Sequence, residues 1–201
     1  MTSGTGKFIT LEGGEGAGKT TCMAHVRHCL GDAGIRFIET REPGGTPVAE
    51  KIRDLLLDKT NTDIQADAEL LLMFAARSQH LDELIRPALQ RGDWVLCDRF
   101  TDATHAYQGG GRGISHDRIS DLEHWTQKGL KPDLTLLLDL PVETGLERAG
   151  QRSTPDRFES ESIQFMERTR GAYREIAASE PQRVKVIDAS LPLDDVVAQI
   201  D

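Results

Sequence analysis

Short runs of apolar residues recur along the 201-residue chain, separated by longer segments of mixed polarity. The runs are four to six residues long and mostly continuous, which is typical of strands buried on both faces of a sheet. They predict five strands, at residues 8–12, 36–40, 94–97, 134–139 and 184–188.

The segments between these strands place apolar residues three or four positions apart, a spacing that predicts amphipathic helices. Met23, Val26 and Leu30 mark one helix face, and positions 52, 55 and 56 mark another. Further helices are predicted at residues 67–90, 117–128, 142–149 and 160–178, with a C-terminal turn from Leu193. Strands alternating with helices favour an α/β three-layer sandwich, in which helices flank a five-stranded parallel sheet. Ligands of such sheets bind beyond the carboxyl ends of the strands.

Composition narrows the class of protein. No repeat or long linker interrupts the alternation, so we expect one domain over residues 1–201. The net charge of −9 argues against a general nucleic-acid-binding protein.

The longest apolar runs, at residues 70–76 and 134–138, fall far short of the about 20 residues of a membrane helix. No apolar signal-peptide segment opens the chain, and its three cysteines fit a reducing compartment, so we expect a cytoplasmic protein.

The best-defined motif follows the first predicted strand. Residues 13–20 fit the pattern G-x-x-x-x-G-K-[ST] and open the first predicted helix. The glycines let backbone N–H groups surround a phosphate, and the helix N-terminus adds a favourable dipole. In this pattern Lys19 reaches the β- and γ-phosphates, and the Thr20 hydroxyl ligates Mg²⁺. The predicted ATP-binding residues of this phosphate loop are Gly13, Gly14, Glu15, Gly16, Ala17, Gly18, Lys19 and Thr20.

Two further patterns distinguish among phosphate-loop proteins. A GTPase would show N/T-K-x-D and D-x-x-G, whereas residues 130–133 (LKPD) have leucine where the first side chain should be polar. Arg148, Arg152 and Arg157 cluster instead after the fourth predicted strand. A mobile lid at about residues 148–160 would bring arginines to the transferred charge and exclude water. A solvated basic loop, paired with neighbouring carboxylates, is the structural alternative.

Four longer segments are more specific than the phosphate loop alone: FITLEGGEGAGKTT (8–21), TREPGGTPVAEKIRDLL (40–56), CDRFTDATHAYQGGGRG (97–113) and KPDLTLLLDLPVETGLERA (131–149). Together they resemble the bacterial thymidylate kinases, of the type with lid arginines found in enterobacteria and pseudomonads. The resemblance covers nearly the whole chain. It implies a nucleoside-monophosphate-kinase domain that transfers the γ-phosphoryl group of MgATP to dTMP, and a cytoplasmic homodimer.

The resemblance also assigns roles at the phosphates. Arg99 would clamp the 5′-phosphate of dTMP, for which its planar fork is suited, and Asp98 would support Mg²⁺. Arg53 would line the monophosphate site. Glu42, with Glu15 of the phosphate loop, would face the sugar and the metal–phosphate zone. Lys19, Arg99 and Arg152 would be catalytic, with Arg148 beside the ATP. An ion pair between Asp98 and Arg99 is the structural alternative at the end of that strand.

Base recognition is assigned by the same resemblance to Met73, Arg77, Thr104, Tyr107 and Gln108. Arg77 would donate to a thymine carbonyl, and Tyr107 would exclude a ribose 2′-hydroxyl. Met73 stands where many members of the family place phenylalanine, and Ala103 where they usually carry serine. Met73 either packs on the base or belongs to an ordinary core face. The glycines at residues 109–113 are interpreted as a turn or flexible connection.

One cluster lies outside this scheme. Cys22, His25 and Cys29 share one helix face at i, i+3 and i+7, the arrangement of metal ligands. No fourth ligand has suitable spacing, and we interpret the cysteines as small buried thiols.

Two other functions stay open from the sequence. The acceptor would be another monophosphate or a free nucleoside if the base pocket differs from that of the family. A regulatory module would hold ATP without transferring it, although mere binding does not require the dense arginines of residues 148–157.

Overall fold

A computed structural model describes residues 6–150 and 156–201 of the chain. Five parallel strands form one sheet in the order β2-β3-β1-β4-β5. The strands are β1 (Phe8–Gly13), β2 (Phe37–Arg41), β3 (Trp94–Asp98), β4 (Leu134–Asp139) and β5 (Val184–Asp188). All five predicted strands are confirmed, with ends that differ from the prediction by at most one residue.

Helices cover both faces of the sheet. They are α1 (Lys19–Asp32), α2 (Pro47–Leu57), α3 (Ala66–His80), α4 (Arg86–Gln90), α5 (Thr101–Thr104), α6 (His116–Gln127), α7 (Val142–Gly150), α8 (Ile163–Ser179) and α9 (Leu193–Ala198). One face of the sheet packs on α1 and α9 through a core that includes Leu11, Val26 and Val196. The other face packs on α8 and on the chain around α4. None of the helices in the described ranges has the length and apolar character needed to cross a membrane.

The helix predicted at residues 67–90 is observed as one unbroken helical run over residues 66–90, which widens in its middle. A π-helical segment, Leu81–Ile85, joins α3 to α4. Pro87 lies in the first turn of α4. Because proline lacks an N–H and its ring crowds the carbonyl four residues earlier, a wider turn before it relieves the clash.

Residues 105–111, which include most of the glycine run, are also helical, so the interpretation of this run as a turn or connection was wrong. His105–Gly111 is a second π-helical segment that follows α5 directly. A Cβ on Gly110 would lie 2.7 Å from the Cβ of Ala172, and one on Gly111 would lie 2.5 Å from the ring of Phe165. The glycines are therefore needed for close packing against α8, which the sequence spacing does not reveal.

Candidate active site

A cavity of about 290 Å³ opens beyond the carboxyl ends of β1, β2 and β3. Phosphate-loop residues line one end, and side chains from α2, α3, α5 and the second π-helical segment line the other. The structure brings together most of the residues predicted from the sequence: Glu15, Gly16, Ala17, Gly18, Lys19, Thr20, Glu42, Arg53, Met73, Arg77, Asp98, Arg99, Thr104, Tyr107 and Gln108. Gly13 and Gly14 border a smaller neighbouring cavity.

The phosphate loop turns sharply between β1 and α1. Gly16 and Gly18 have φ angles of 67° and 86°, which glycine adopts without steric cost. No described residue accepts a hydrogen bond from the backbone N–H groups of residues 14–18. Lys19 folds over this loop, and its Nζ donates to the carbonyls of Gly14 (2.9 Å) and Gly13 (3.2 Å). Free N–H groups at a helix N-terminus beside an ammonium form an anion-binding cradle.

The backbone of Arg99 is held in an uncommon conformation. Its φ is 70°, in the left-handed region that few non-glycine residues occupy. The N–H of Arg99 donates to the Leu11 carbonyl (2.9 Å), and the N–H of Phe100 donates to a carboxylate oxygen of Glu12 (2.7 Å). These two bonds to β1 fix the residue that follows β3 at the mouth of the cavity.

The guanidinium of Arg99 is also fixed, by three side chains. It donates to Glu15 (2.8 Å) and to the Tyr173 hydroxyl (3.2 Å), and it lies 4.9 Å from the centre of the Tyr107 ring. Tyr107 donates to the same Glu15 oxygen (2.7 Å). Burial by itself would raise the pKa of Glu15, but the nearby Arg99 and Lys19 outweigh it and lower the pKa. Glu15 is thus an ionised partner that holds Arg99 before any anion binds.

Glu12 is a buried carboxyl group that the sequence analysis did not single out. Its side chain has no exposure to solvent and accepts hydrogen bonds from the Tyr173 hydroxyl and the Phe100 N–H, both at 2.7 Å. Burial and then the charge of Asp102 raise its pKa to about 8. A charged residue inside an otherwise apolar strand is the signal that could have identified it.

Two side chains of the kind that bind a divalent cation line the cavity at the phosphate loop and at the end of β3. Asp98 ends β3 and lines the cavity together with Thr20. Its Oδ1 is buried and has no hydrogen-bond partner among the described residues. A carboxylate and a hydroxyl are the oxygen ligands that Mg²⁺ accepts, usually alongside phosphate oxygens and water. The unpaired Oδ1 therefore matches the predicted metal role of these two residues.

Arg77 lies at the opposite end of the cavity, with only 3% of its surface exposed. Its Nε donates to Glu42 (2.7 Å), and its Nη2 donates to the Thr104 hydroxyl (2.9 Å) and the Phe100 carbonyl (3.1 Å). Its Nη1 is buried without a partner in the described part of the chain. A guanidinium fixed on one side, with a free donor on the other, can recognise a carbonyl oxygen of a ligand.

Glu42, the residue directly after β2, holds this arginine in place. One carboxylate oxygen accepts from Arg77, and the other lies 2.9 Å from Nδ1 of His80, which contacts Thr40 through Nε2 (2.7 Å). Burial would raise the pKa of Glu42, but the charge of Arg77 and the contact with His80 outweigh it. Because both oxygens are engaged, Glu42 positions Arg77 in this structure. Arg53, on α2, donates to the carbonyl of Pro43, the residue that follows Glu42 (2.8 Å).

A second carboxylate, Glu69 on α3, lies fully buried behind the cavity. It accepts hydrogen bonds from Gln108 (2.8 Å), from Arg112 (3.0 and 3.2 Å) and from Arg157 (2.6 Å). Burial would raise its pKa, and the bonds from Arg112 and Gln108 outweigh that effect and lower it. Glu69 thus joins the cavity wall to the segment after residue 155, and its place inside an apolar helix is the only sequence signal for it.

Glu69→Gln is expected to lower the free energy of unfolding by about 2–3 kcal/mol, since it removes the charge partner of the largely buried Arg157 and one of the two charge partners of Arg112. Urea unfolding measures this loss. Asp67→Asn is the matched control on the same helix, because the Asp67–Arg118 pair is exposed by 60% and 56%. It should cost nothing measurable, and equal losses for both variants would contradict the role of burial.

The predicted lid arginines have different surroundings. Arg148, on α7, donates to the Ala189 carbonyl after β5 (2.8 Å) and does not line the cavity. Arg157 donates to the Leu56 carbonyl (2.7 Å) as well as to Glu69. Arg152 lies outside the described residues. Asp156, Phe158 and Glu159 from the predicted lid do line the cavity, and the sequence analysis gave them no role there.

A phosphate loop at the central strand, facing across one cavity a set of fixed arginines, defines the chain as a P-loop nucleotide kinase. The family model for thymidylate kinase matches residues 11–200, and the chain belongs to this family. It is 57% identical over 197 residues to a protein named thymidylate kinase from Pseudomonas syringae pv. tomato, covering 98% of this chain and 94% of that protein. Similar relatives of the same name come from Ectopseudomonas mendocina (57% identity, 98% and 94% coverage) and Alkalilimnicola ehrlichii (55%, 98% and 91%).

Proposed function

We propose that the chain transfers the γ-phosphoryl group of MgATP to dTMP and releases dTDP, for dTTP synthesis, and ADP. The observation that supports this most directly is that the phosphate loop and the free donor of Arg77 line the same cavity. An acceptor nucleotide that reaches Arg77 with its base would extend its phosphate toward Arg99 and the phosphate loop. Membership of the thymidylate kinase family supports thymine as that base.

Catalysis in this proposal is positioning together with charge stabilisation. The acceptor phosphate is already an anionic nucleophile, so no covalent enzyme intermediate is needed. Arg99 and Arg53 hold the acceptor phosphate, and Lys19 with the backbone N–H groups of the phosphate loop holds the donor. Thr20 and Asp98 would hold Mg²⁺, which supplies positive charge to the phosphate oxygens. Arg152 is proposed to add charge at the γ-phosphate from a lid at about residues 148–160.

The base end of the site is proposed to select thymine and deoxyribose. Arg77 would donate through Nη1 to a thymine carbonyl, while Thr104 and Gln108 lie beside it in the cavity wall. Met73 is half-buried and packs against the core cluster that contains Tyr107, yet it also lines the cavity, so it can do both. Tyr107 would face the sugar.

The proposal is tested by ADP release with MgATP and each of dTMP, dUMP, dCMP, dGMP and thymidine. We expect turnover that strongly prefers dTMP. Preference for another acceptor would retain the kinase but reject the assignment of the base pocket. ATP binding without turnover on any acceptor would reject phosphoryl transfer and favour a regulatory role.

Arg77→Lys is expected to raise KM for dTMP by about 10–100-fold, the cost of losing a charge-assisted hydrogen bond. Lysine keeps the positive charge beside Glu42 but cannot also reach Thr104, the Phe100 carbonyl and the base. KM for ATP should stay near the wild-type value, because Arg77 lies at the end of the cavity away from the phosphate loop. A change in KM for ATP alone would reject this role, and steady-state kinetics with both substrates varied distinguishes the two results.

We also infer a cytoplasmic homodimer of single-domain subunits. The support for an interface is the exposure of large apolar side chains on two helices that pack together, Val48 (50%) and Leu55 (44%) on α2 and Leu71 (56%) on α3. Leu70, directly before Leu71, and Phe74, three residues after it, belong to the core. Sedimentation velocity at micromolar concentration should give the mass of two chains.

A further inference from the structure

Three metal-ligating side chains converge on the surface of α1, away from the nucleotide cavity. Nε2 of His25 lies 2.7 Å from Oδ1 of Asp201 and 3.4 Å from Sγ of Cys29, and the sulfur lies 3.9 Å from the same Asp201 oxygen. No other His, Cys, Asp or Glu side chains form so close a group of three in the described part of the chain. All three residues are at least partly exposed.

Helix geometry and core packing hold these three side chains together without a bound ion. His25 and Cys29 are four residues apart on α1 and therefore lie on one helix face. Asp201 follows α9, whose Val196 is buried in the core cluster that also contains Val26 of α1. Ile200 packs against the same cluster, and the Asp201 N–H donates to the Val197 carbonyl. The packing of the C-terminal segment thus fixes the carboxylate beside the helix.

Cys22 is not part of this cluster, although the sequence placed it on the same face as His25 and Cys29. Cys22 is 1% exposed and lies in the core, and Cys97 is also buried. The interpretation of the two helix cysteines as small buried thiols is therefore correct for Cys22 and wrong for Cys29, which is partly exposed. Asp201 instead supplies the further ligand beside His25 and Cys29. It could not be found from sequence spacing, because it lies 172 residues after Cys29.

The distances between the three ligand atoms suit an ion with tetrahedral coordination. Zinc bonds of about 2.0–2.3 Å to nitrogen, oxygen and sulfur place neighbouring donor atoms about 3.3–3.6 Å apart. The observed separations of 2.7–3.9 Å bracket that range. Imidazole, thiolate and carboxylate together select Zn²⁺ and similar transition-metal ions, whereas Mg²⁺ does not take a thiolate.

We propose that His25, Cys29 and Asp201 bind one thiophilic divalent ion of the Zn²⁺ class, at a site separate from the nucleotide cavity, and so tie the C-terminal segment to α1. Three protein ligands leave a fourth position for water. The thiol must lose its proton on binding, so affinity rises with pH. Burial and the neighbouring Asp201 raise the pKa of Cys29, and a bound cation opposes the effect of that carboxylate.

Co²⁺ is the probe, since thiolate-bound tetrahedral cobalt absorbs in the near ultraviolet and the visible. The reduced full chain is titrated with Co²⁺ at pH 7.5 in the absence of nucleotide. We expect one ion per chain, a sulfur-to-cobalt charge-transfer band, and displacement by equimolar Zn²⁺ but not by excess Mg²⁺. Cys29→Ser should abolish the band, and His25→Gln and Asp201→Asn should each weaken binding at least about tenfold.

The chain offers two matched controls. Cys22→Ser removes a thiol one turn before His25 on the same helix, and His28→Gln removes an exposed imidazole, so both should keep the band. Zn²⁺ should raise the unfolding temperature of the wild type and not of Cys29→Ser, because only a ligand of the folded state stabilises it. The absence of cobalt binding would overturn the proposal, and so would a band that survives Cys29→Ser. Neither result bears on phosphoryl transfer.

Discussion

Lys19→Met is expected to lower kcat by about 10²–10³-fold, the cost of removing one donor that stabilises charge in a transition state. In the structure the Lys19 ammonium lies over the carbonyls of Gly13 and Gly14, within reach of phosphates held by the loop. Methionine has a similar shape and flexibility but lacks both the charge and the N–H donors of the ammonium. KM for dTMP should change little, because Arg99, Arg53 and Arg77 remain.

The measurement is single-turnover ADP formation at saturating MgATP and dTMP, which isolates the chemical step. Lys185→Met is the matched control, since Lys185 is exposed on β5 and, within the described residues, its Nζ donates only to the Pro181 carbonyl. It should have the wild-type rate. If Lys19→Met also kept that rate, Lys19 would be excluded from the mechanism.

Glu12→Gln is expected to make the protein more stable relative to the wild type as pH rises. The pKa of Glu12 is raised from about 4.5 to about 8 by burial. Between these values the unfolded chain gives up this proton more readily than the folded chain, so the contribution of Glu12 to stability falls as pH increases. Each pKa unit corresponds to about 1.4 kcal/mol, so the effect is on the order of a few kcal/mol.

Glutamine keeps the shape and can still accept the hydrogen bond from the Phe100 N–H, but it never ionises. Urea unfolding at pH 5, 6.5 and 8 should therefore show the difference between variant and wild type shifting steadily toward the variant. Glu175→Gln, on the exposed side of α8, should give a difference that does not depend on pH. A constant difference for Glu12→Gln would show that Glu12 stays ionised throughout this range.

Much of the fold and of the phosphate site could be predicted from local sequence. The strands are runs of buried aliphatic residues whose character does not depend on distant partners, and β4 and β5 were predicted with their observed bounds. The phosphate loop is likewise encoded in eight consecutive residues. Its glycines permit the turn and its lysine follows them directly, so the sequence motif alone predicts the geometry of the loop.

The supporting contacts could not be predicted, because each depends on packing between distant segments. Glu12 meets Tyr173 across 161 positions, and Glu69 meets Arg157 across 88. The second π-helical segment exists because glycines allow it to approach α8, and in the sequence the same glycines suggest a turn. The residues that sequence reasoning missed are thus those that hold the predicted site residues in place.

One contact of the phosphate loop also constrains the position of α7. The backbone of Gly16 is so close to α7 that a Cβ on it would lie 1.9 Å from the Gly145 carbonyl, and a Cβ on Gly145 would lie 2.4 Å from the Glu15 carbonyl. Two glycine backbones thus touch directly, although glycine inside a helix costs about 1 kcal/mol relative to alanine. A side chain at either position would push the phosphate loop and α7 apart. These two glycines therefore set how closely the first turn of α7 lies against the loop that is proposed to hold the donor phosphates.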